Sequence, residues 1–206
     1  WRSCRERNMG IYDTSRPTVT DTITQGGRSI THANTANAID NTNNPNANKD
    51  TKELRLPNGQ TIQVYDDGIE EEMVEYLQSD DYKNATDKDL REKWFEFDNL
   101  AFVFGSGTEL QEYSRTQLNN IIQILKSYPN AKIRVAGIAD KKGTENANME
   151  VTRERAKTIE KIFDEGGGGK QVVRTEGYGD EDAKHSASDT NDERDEDRNI
   201  AIRCVK

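Results

Sequence analysis

Apolar residues are scarce in this chain. They make up 32% of its 206 residues against 33% charged, and the mean hydropathy is -1.02. A sequence this polar cannot bury one core along its whole length, so a sizeable part is expected to be linker or disordered. No apolar run approaches the roughly 18 residues of a membrane span, and no transmembrane helix is expected. Positive charge is short too. The 29 Lys and Arg face 38 Asp and Glu, a net charge of -9 that argues against a nucleic-acid partner. Cysteine is limited to Cys4 and Cys204. Cys204 alternates with Ile200 and Ile202, which favours its burial over a bridge to Cys4 in a polar tail. Trp1-Arg2-Ser3 is a poor signal for lipidation of Cys4. The two histidines, His32 and His185, have no metal-ligand spacing, and no nucleophile elbow or His-dependent triad is present. A non-catalytic protein without cofactor or metal is expected.

Two further patterns fail on spacing. Asp180-Glu181-Asp182, with Asp189, Asp192, Glu193, Asp195, Glu196 and Asp197, lacks the calcium-loop spacing and reads as a solvated acidic loop. Gly166 to Lys170 is not a phosphate loop, because Asp164 stands where its first glycine belongs and Gln171 where Ser or Thr belongs. The chain opens on Trp1 rather than Met, so an upstream signal peptide or membrane anchor is expected.

What is present divides into three parts. Residues 1–53 read as a disordered Asn/Thr-rich linker, with an Asn-rich tract over 32–49. Residues 54–93 read as a small hairpin-helix module. Leu54 and Leu56, then Ile62 and Val64, alternate with polar residues around Pro57-Asn58-Gly59. Ile69, Met73, Val74 and Leu77 then form one helical stripe behind the first-turn acids Glu70, Glu71 and Glu72. Thr86 caps a short helix over 87–93. The module is too small to be stable alone and is expected to pack on the C-terminal part of the chain.

Residues 94–206 read as a regular domain. A strand is expected from Trp94 to Gly105, and a capping box of Ser114 with Gln117 opens a helix carrying Leu118, Ile121, Ile122 and Leu125. Next come a strand over 132–136 and a helix over 145–165, the helix with Thr152, Ala156, Ile159 and Phe163 on its core face. Gln171–Thr175 and Ile200–Val205 supply two more strands, with a short helix between them. The order β-α-β-α-β-(α)-β predicts an α+β fold, an α/β sandwich with helices covering a mixed sheet.

The densest signal lies at Gly137 to Arg155. A strand ends on Asp140, the chain turns through Gly143, and a helix carries Asn148 and Arg155 seven residues apart on one face. If that face looks back at the strand end, a carboxylate and a guanidinium border one pocket suited to a zwitterionic ligand. Taken alone, the same two residues also suit a structural ion pair.

Gly137-Ile138-Ala139-Asp140, Gly143, Asn148, Val151-Thr152, Arg155-Ala156, Glu176-Gly177-Tyr178-Gly179 and Arg198 resemble the peptidoglycan-binding domain shared by the outer membrane protein A C-terminal region and flagellar stator proteins. The resemblance covers about 97–206. The Leu56-Pro57-Asn58-Gly59 hairpin, the Trp94-Phe95 start and Asp197-Arg198 resemble a subgroup of Bacteroidetes-type envelopes. The resemblance implies non-covalent capture of the diaminopimelate of peptidoglycan stem peptides. Asp140 would accept the ligand ammonium and Arg155 would grip its carboxylate, so that changing either to alanine abolishes capture without unfolding. Asn148 and Thr152 would shape the site from the helix. Arg198 would line the rim or bond loop carbonyls, and Gly105 and Ser106 would border the pocket. It also implies a periplasmic location in the cell envelope, associated with the outer membrane through the upstream anchor, with envelope proteins as further partners. The chain departs from the pattern at Ile138, Ala139, Val103 and Asn199. The alternative reading is a structural component of an envelope assembly whose pocket has drifted.

Overall fold

The computed structural model describes residues 22–25, 28–31, 44–103 and 106–206. The chain divides into two compact units, Trp1–Ala38 and Ile39–Lys206. In the first, β1 (Thr22–Gln25) and β2 (Arg28–Thr31) pair antiparallel, with Ile23 opposite Ile30. The linker read over 1–53 therefore holds a short hairpin. Its sequence signal is β-branched residues on either side of Gly26-Gly27, masked by the polarity of the surrounding tract.

The second unit begins inside the Asn-rich tract. Asn44 is buried and donates to the Tyr65 hydroxyl (2.8 Å), and Asn46 donates to the Asp98 carbonyl (2.8 Å). These amides have long-range acceptors, which a composition argument cannot see. β3 (Thr51–Arg55) then pairs antiparallel with β4 (Thr61–Tyr65), Leu54 opposite Ile62. Pro57 and Asn58 turn the chain, and Gly59 at φ +88° takes the left-handed position that closes a three-residue hairpin loop.

Three helices come next: α1 (Ile69–Gln78), α2 (Asp80–Asn84) and α3 (Asp87–Glu92). Thr86 caps α3 in a reciprocal box with Asp89. The domain proper has β5 (Phe95–Glu96), α4 (Ser114–Ser127), β6 (Lys132–Gly137), α5 (Glu145–Glu165), β7 (Val172–Gly177), α6 (Asn191–Asp195) and β8 (Ile200–Val205). Four strands form one mixed sheet in the order β5-β8-β6-β7, β6 parallel to β7 and antiparallel to β8. Leu118, Ile121 and Leu125 of α4 and Ala156, Ile159 and Phe163 of α5 pack with Ile133, Val135, Ile200 and Ile202 of the sheet. Leu56, Ile62, Met73 and Leu77 belong to the same buried cluster, so the hairpin-helix module shares the domain's core. Cys204 is buried in that core, as expected.

Two expectations need correction. The strand predicted over 94–105 shrinks to Phe95–Glu96. The capping box predicted for α4 does not form: its N-cap is Tyr113, with no side-chain cap. The two differences share one cause. Ser114 Oγ accepts from the Ala101 amide (2.9 Å) and Gln117 Oε1 from the Asn99 amide (2.9 Å). Backbone donors that would have joined the sheet are thereby tied to α4.

Gln117 also links this segment to a buried acid. Glu70 is 1% exposed, and its carboxylate accepts from Asn120 Nδ2 (2.9 Å) and Gln117 Nε2 (3.0 Å). Burial pushes its pKa above the ordinary 4.5, although both amides favour the ionised form. The native state then holds a proton that the unfolded chain has released, so the Glu70 contribution is complete below 4.5 and is lost as pH rises through the raised value. Chemical denaturation across pH should accordingly show a more negative stability slope above 4.5 in the native sequence than in Glu70→Gln. Equal slopes would count against an acid titrating in this position.

Candidate functional site

The site is built where β6 and β7 run beneath α5. A Cβ on Gly137 would fall on the Thr152 carbonyl, and one on Gly177 would lie 2.5 Å from the Arg153 amide. Both glycines let the helix backbone rest directly on the strand ends. Past Gly137, the chain turns through Asp140 and Gly143, whose φ of +123° suits only glycine, and enters α5 behind the Thr144 cap.

Asp140 is 6% exposed and sits at the centre of a charge cluster. Its Oδ1 accepts from the Lys142 amide (2.7 Å). Its Oδ2 accepts from Arg194 Nη1 (3.0 Å) and Arg198 Nη1 (2.5 Å). Burial raises its pKa, but the Arg198 hydrogen bond, the Lys142 amide and both guanidinium charges outweigh it and hold the carboxyl below the ordinary 3.8.

Asn148 and Thr152 are buried and serve the framework. Asn148 Nδ2 donates to the Asp140 carbonyl (3.1 Å). Thr152 Oγ1 donates to the Asn148 carbonyl (2.8 Å) and accepts from the Gly179 amide (3.1 Å). Through these bonds α5 fixes both the strand end and the Gly177-Tyr178-Gly179 turn.

Arg155 is half-buried, its guanidinium 4.8 Å from the centre of the Phe102 ring. Beside it opens a cavity of about 360 Å³, lined by Arg155, Arg198, Phe102, Tyr113, Glu196 and Asn199, among others. Asp140 does not line this cavity; it is reached through Arg198, which touches both. Ser106 turns its own loop, its Oγ accepting from the Thr108 (3.3 Å) and Glu109 (2.9 Å) amides. Gly105 lies outside the described residues.

Sequence reasoning passed over two members of this cluster. Arg194 is 5% exposed, bonds the Asp189 carbonyl (3.2 Å) and supplies the second guanidinium to Asp140. Its signal was spacing: it lies four residues before Arg198, on a helix opened by the Thr190–Glu193 capping box. Asp197, read as part of a solvated acidic loop, is instead buried and accepts from the Lys184 (2.8 Å) and His185 (2.9 Å) amides. It folds the loop over the cluster.

Residues 101–198 match the model of the OmpA family. Three of the similar solved structures each cover about half of the chain. The peptidoglycan-associated lipoprotein of Burkholderia pseudomallei is 22% identical, covering 52% of this chain and 88% of that one, with a TM-score of 0.46. A periplasmic domain of Helicobacter pylori MotB is 18% identical over 51% of this chain and 68% of that one, TM-score 0.43. The OmpA-like domain of FopA1 from Francisella tularensis is 16% identical over 54% and 70%, TM-score 0.42. No curated protein matches the chain. The span matched to that family model takes in Asp140, Asn148, Arg155, Arg194 and Arg198.

Proposed function

We propose that this domain binds peptidoglycan non-covalently through the diaminopimelate of its stem peptides, tethering an envelope component to the cell wall in the periplasm, with the outer membrane as the tethered layer. One observation carries the reading: Arg155 and Arg198 line a single cavity, and Arg198 also reaches Asp140. A ligand carboxylate entering between two guanidinium groups has the planar donors it needs. Arg198 is the more exposed of the two arginines on Asp140, with 22% of its side chain accessible against 7% for Arg194. In the bound state Arg198 turns from Asp140 to the ligand carboxylate, and Asp140 Oδ2 accepts the ligand ammonium in its place. The Asp140–Arg198 pair is exchanged for an Asp140–ammonium contact and for contacts of Arg155 and Arg198 with the ligand carboxylate.

The exchange limits affinity. Hydrogen bonds to charged groups contribute about 1.5–3 kcal/mol each, and part of this gain is offset by the Asp140–Arg198 contact that is given up. Affinity per site is therefore on the order of micromolar to millimolar, about 4–8 kcal/mol. Many such contacts along a polymer hold a tethered domain firmly through effective concentration. The Bacteroidetes-type subgroup is part of this proposal and rests on the Leu56–Gly59 hairpin and the Trp94-Phe95 start.

A second reading has its own observation. Asp140 is already satisfied by groups within the chain, which is what a drifted pocket in a structural assembly component requires. Co-sedimentation with purified sacculi separates the two. Binding predicts retention on diaminopimelate-type sacculi that exceeds retention on lysine-type sacculi by at least about tenfold, because the lysine side chain lacks the carboxylate. Equal retention, or none on either, supports the assembly reading.

A further inference from the structure

The sheet carries a second charged feature, sharing no residue with the cavity above. Arg134 of β6 stands directly opposite Arg203 of β8, and its partner on β7 is Arg174. Alternation along β6 buries Ile133 and Val135 among the helices, which turns Arg134 to the other face; Ile202 and Cys204 do the same for Arg203. Three arginines thus form a row across three adjacent strands, although like charges directly opposite one another destabilise strand pairing. Two of the three, Arg134 and Arg203, line a cleft of about 130 Å³ together with Arg91 of α3, Lys206, Asp87, Leu90 and Val205.

These cations are poorly matched by acids. Among the described residues, no carboxylate lies within ion-pair distance of Arg91, Arg203 or Lys206. Arg134 has Glu176 at 3.8 Å, and Arg174 holds the same carboxylate at 2.7 Å. Arg203 is 8% exposed, covered by the Trp94 ring at 4.8 Å, and its Nη1 donates to the Arg91 carbonyl (3.1 Å). Among the described residues, Arg134 Nε and Arg203 Nε are buried without a hydrogen-bond acceptor. Burial and the Arg134 charge lower the pKa of Arg203 below its ordinary value. In a protein of net charge -9, four cations (Arg91, Arg134, Arg203 and Lys206) line one cleft, and Arg203 is buried there.

We propose that this cleft binds a phosphate monoester group. A tetrahedral dianion presents several acceptor oxygens and two charges to guanidinium groups converging from strands and helix. A single carboxylate would leave most of that charge unmatched. The proposal is independent of the peptidoglycan reading.

The test is a titration of the full chain with inorganic phosphate against chloride at matched ionic strength, read by ³¹P NMR line broadening and thermal unfolding. Saturable broadening and a rise in melting temperature are expected for the native sequence. Arg134→Gln, which removes a like-charge neighbour and so should fold, is expected to weaken binding about tenfold or more. A response that never saturates, or that is the same in Arg134→Gln, overturns the site. Sedimentation with phosphatidic acid vesicles, against phosphatidylcholine vesicles, identifies the source. Phosphatidic acid-dependent sedimentation assigns a lipid headgroup, whereas saturable phosphate binding without sedimentation assigns a soluble or glycan-borne phosphate.

Discussion

Asp140→Ala is expected to lower the stability of the domain by about 3–5 kcal/mol, the cost of removing one partner from a buried ion pair. Asp140 and Arg194 keep only 8% and 7% of their side-chain surface, so deleting the carboxylate leaves a guanidinium in a place where water cannot compensate it. Arg198, with 22% of its side chain accessible, can turn to solvent and adds less. The sequence alone suggests that this substitution would spare the fold; the buried cluster changes that expectation. The pH dependence has a definite sign. With the Asp140 carboxyl held below 3.8, the unfolded chain takes up the proton first as pH falls. The stabilisation is complete above 3.8 and is lost as pH falls through the native value. Urea denaturation at neutral pH measures the loss, and one below about 1 kcal/mol would place Asp140 with ordinary exposed pairs. Binding tests on Asp140 therefore need a fold readout beside them, since even Asp140→Asn, which keeps the shape and an acceptor for the Lys142 amide, removes the charge opposite Arg194.

Arg155→Ala is expected to reduce capture of diaminopimelate-type peptidoglycan by at least about tenfold, since it removes a two-pronged donor that contributes about 1.5–3 kcal/mol to a charged acceptor. Its cost to stability is smaller, on the order of 0.5–2 kcal/mol, because Arg155 is only half-buried beside the Phe102 ring. Arg155→Lys is expected to bind between the two, as a point charge cannot reproduce the fork. Depletion of soluble protein by sacculi, read beside circular dichroism, checks both substitutions. Undiminished capture by folded Arg155→Ala would move the site away from this cavity.

Local pattern carried much of the fold. The stripe of Thr152, Ala156, Ile159 and Phe163 locates α5, and Thr86 marks the start of α3, because both signals reside within a few residues of chain. The expectations that failed depend on partners distant in sequence. Ser114 and Gln117 have the spacing of a capping box, yet their side chains are taken by the backbone of Ala101 and Asn99. Glu70 reads as one of three first-turn acids, and nothing local shows that Asn120 and Gln117 hold it inside. At the site, the motif marks Asp140 and Arg155 but says nothing of Arg194, whose role depends on how the 180–198 loop folds back over β6. Asp197 enforces that fold through two backbone amides, a function hidden by the acids on either side of it. A charge run looks the same in sequence whether its members face water or one of them turns inward.

The most direct measurement tracks the guanidinium ¹⁵Nε resonances of Arg155 and Arg198 while free diaminopimelate, and separately lysine, is titrated into labelled protein. The account predicts that both resonances shift together and saturate with diaminopimelate as Arg198 exchanges Asp140 for the ligand carboxylate, and that lysine moves neither comparably. Unmoved resonances, or an Arg198 that stays on Asp140 while ligand binds elsewhere, would contradict it.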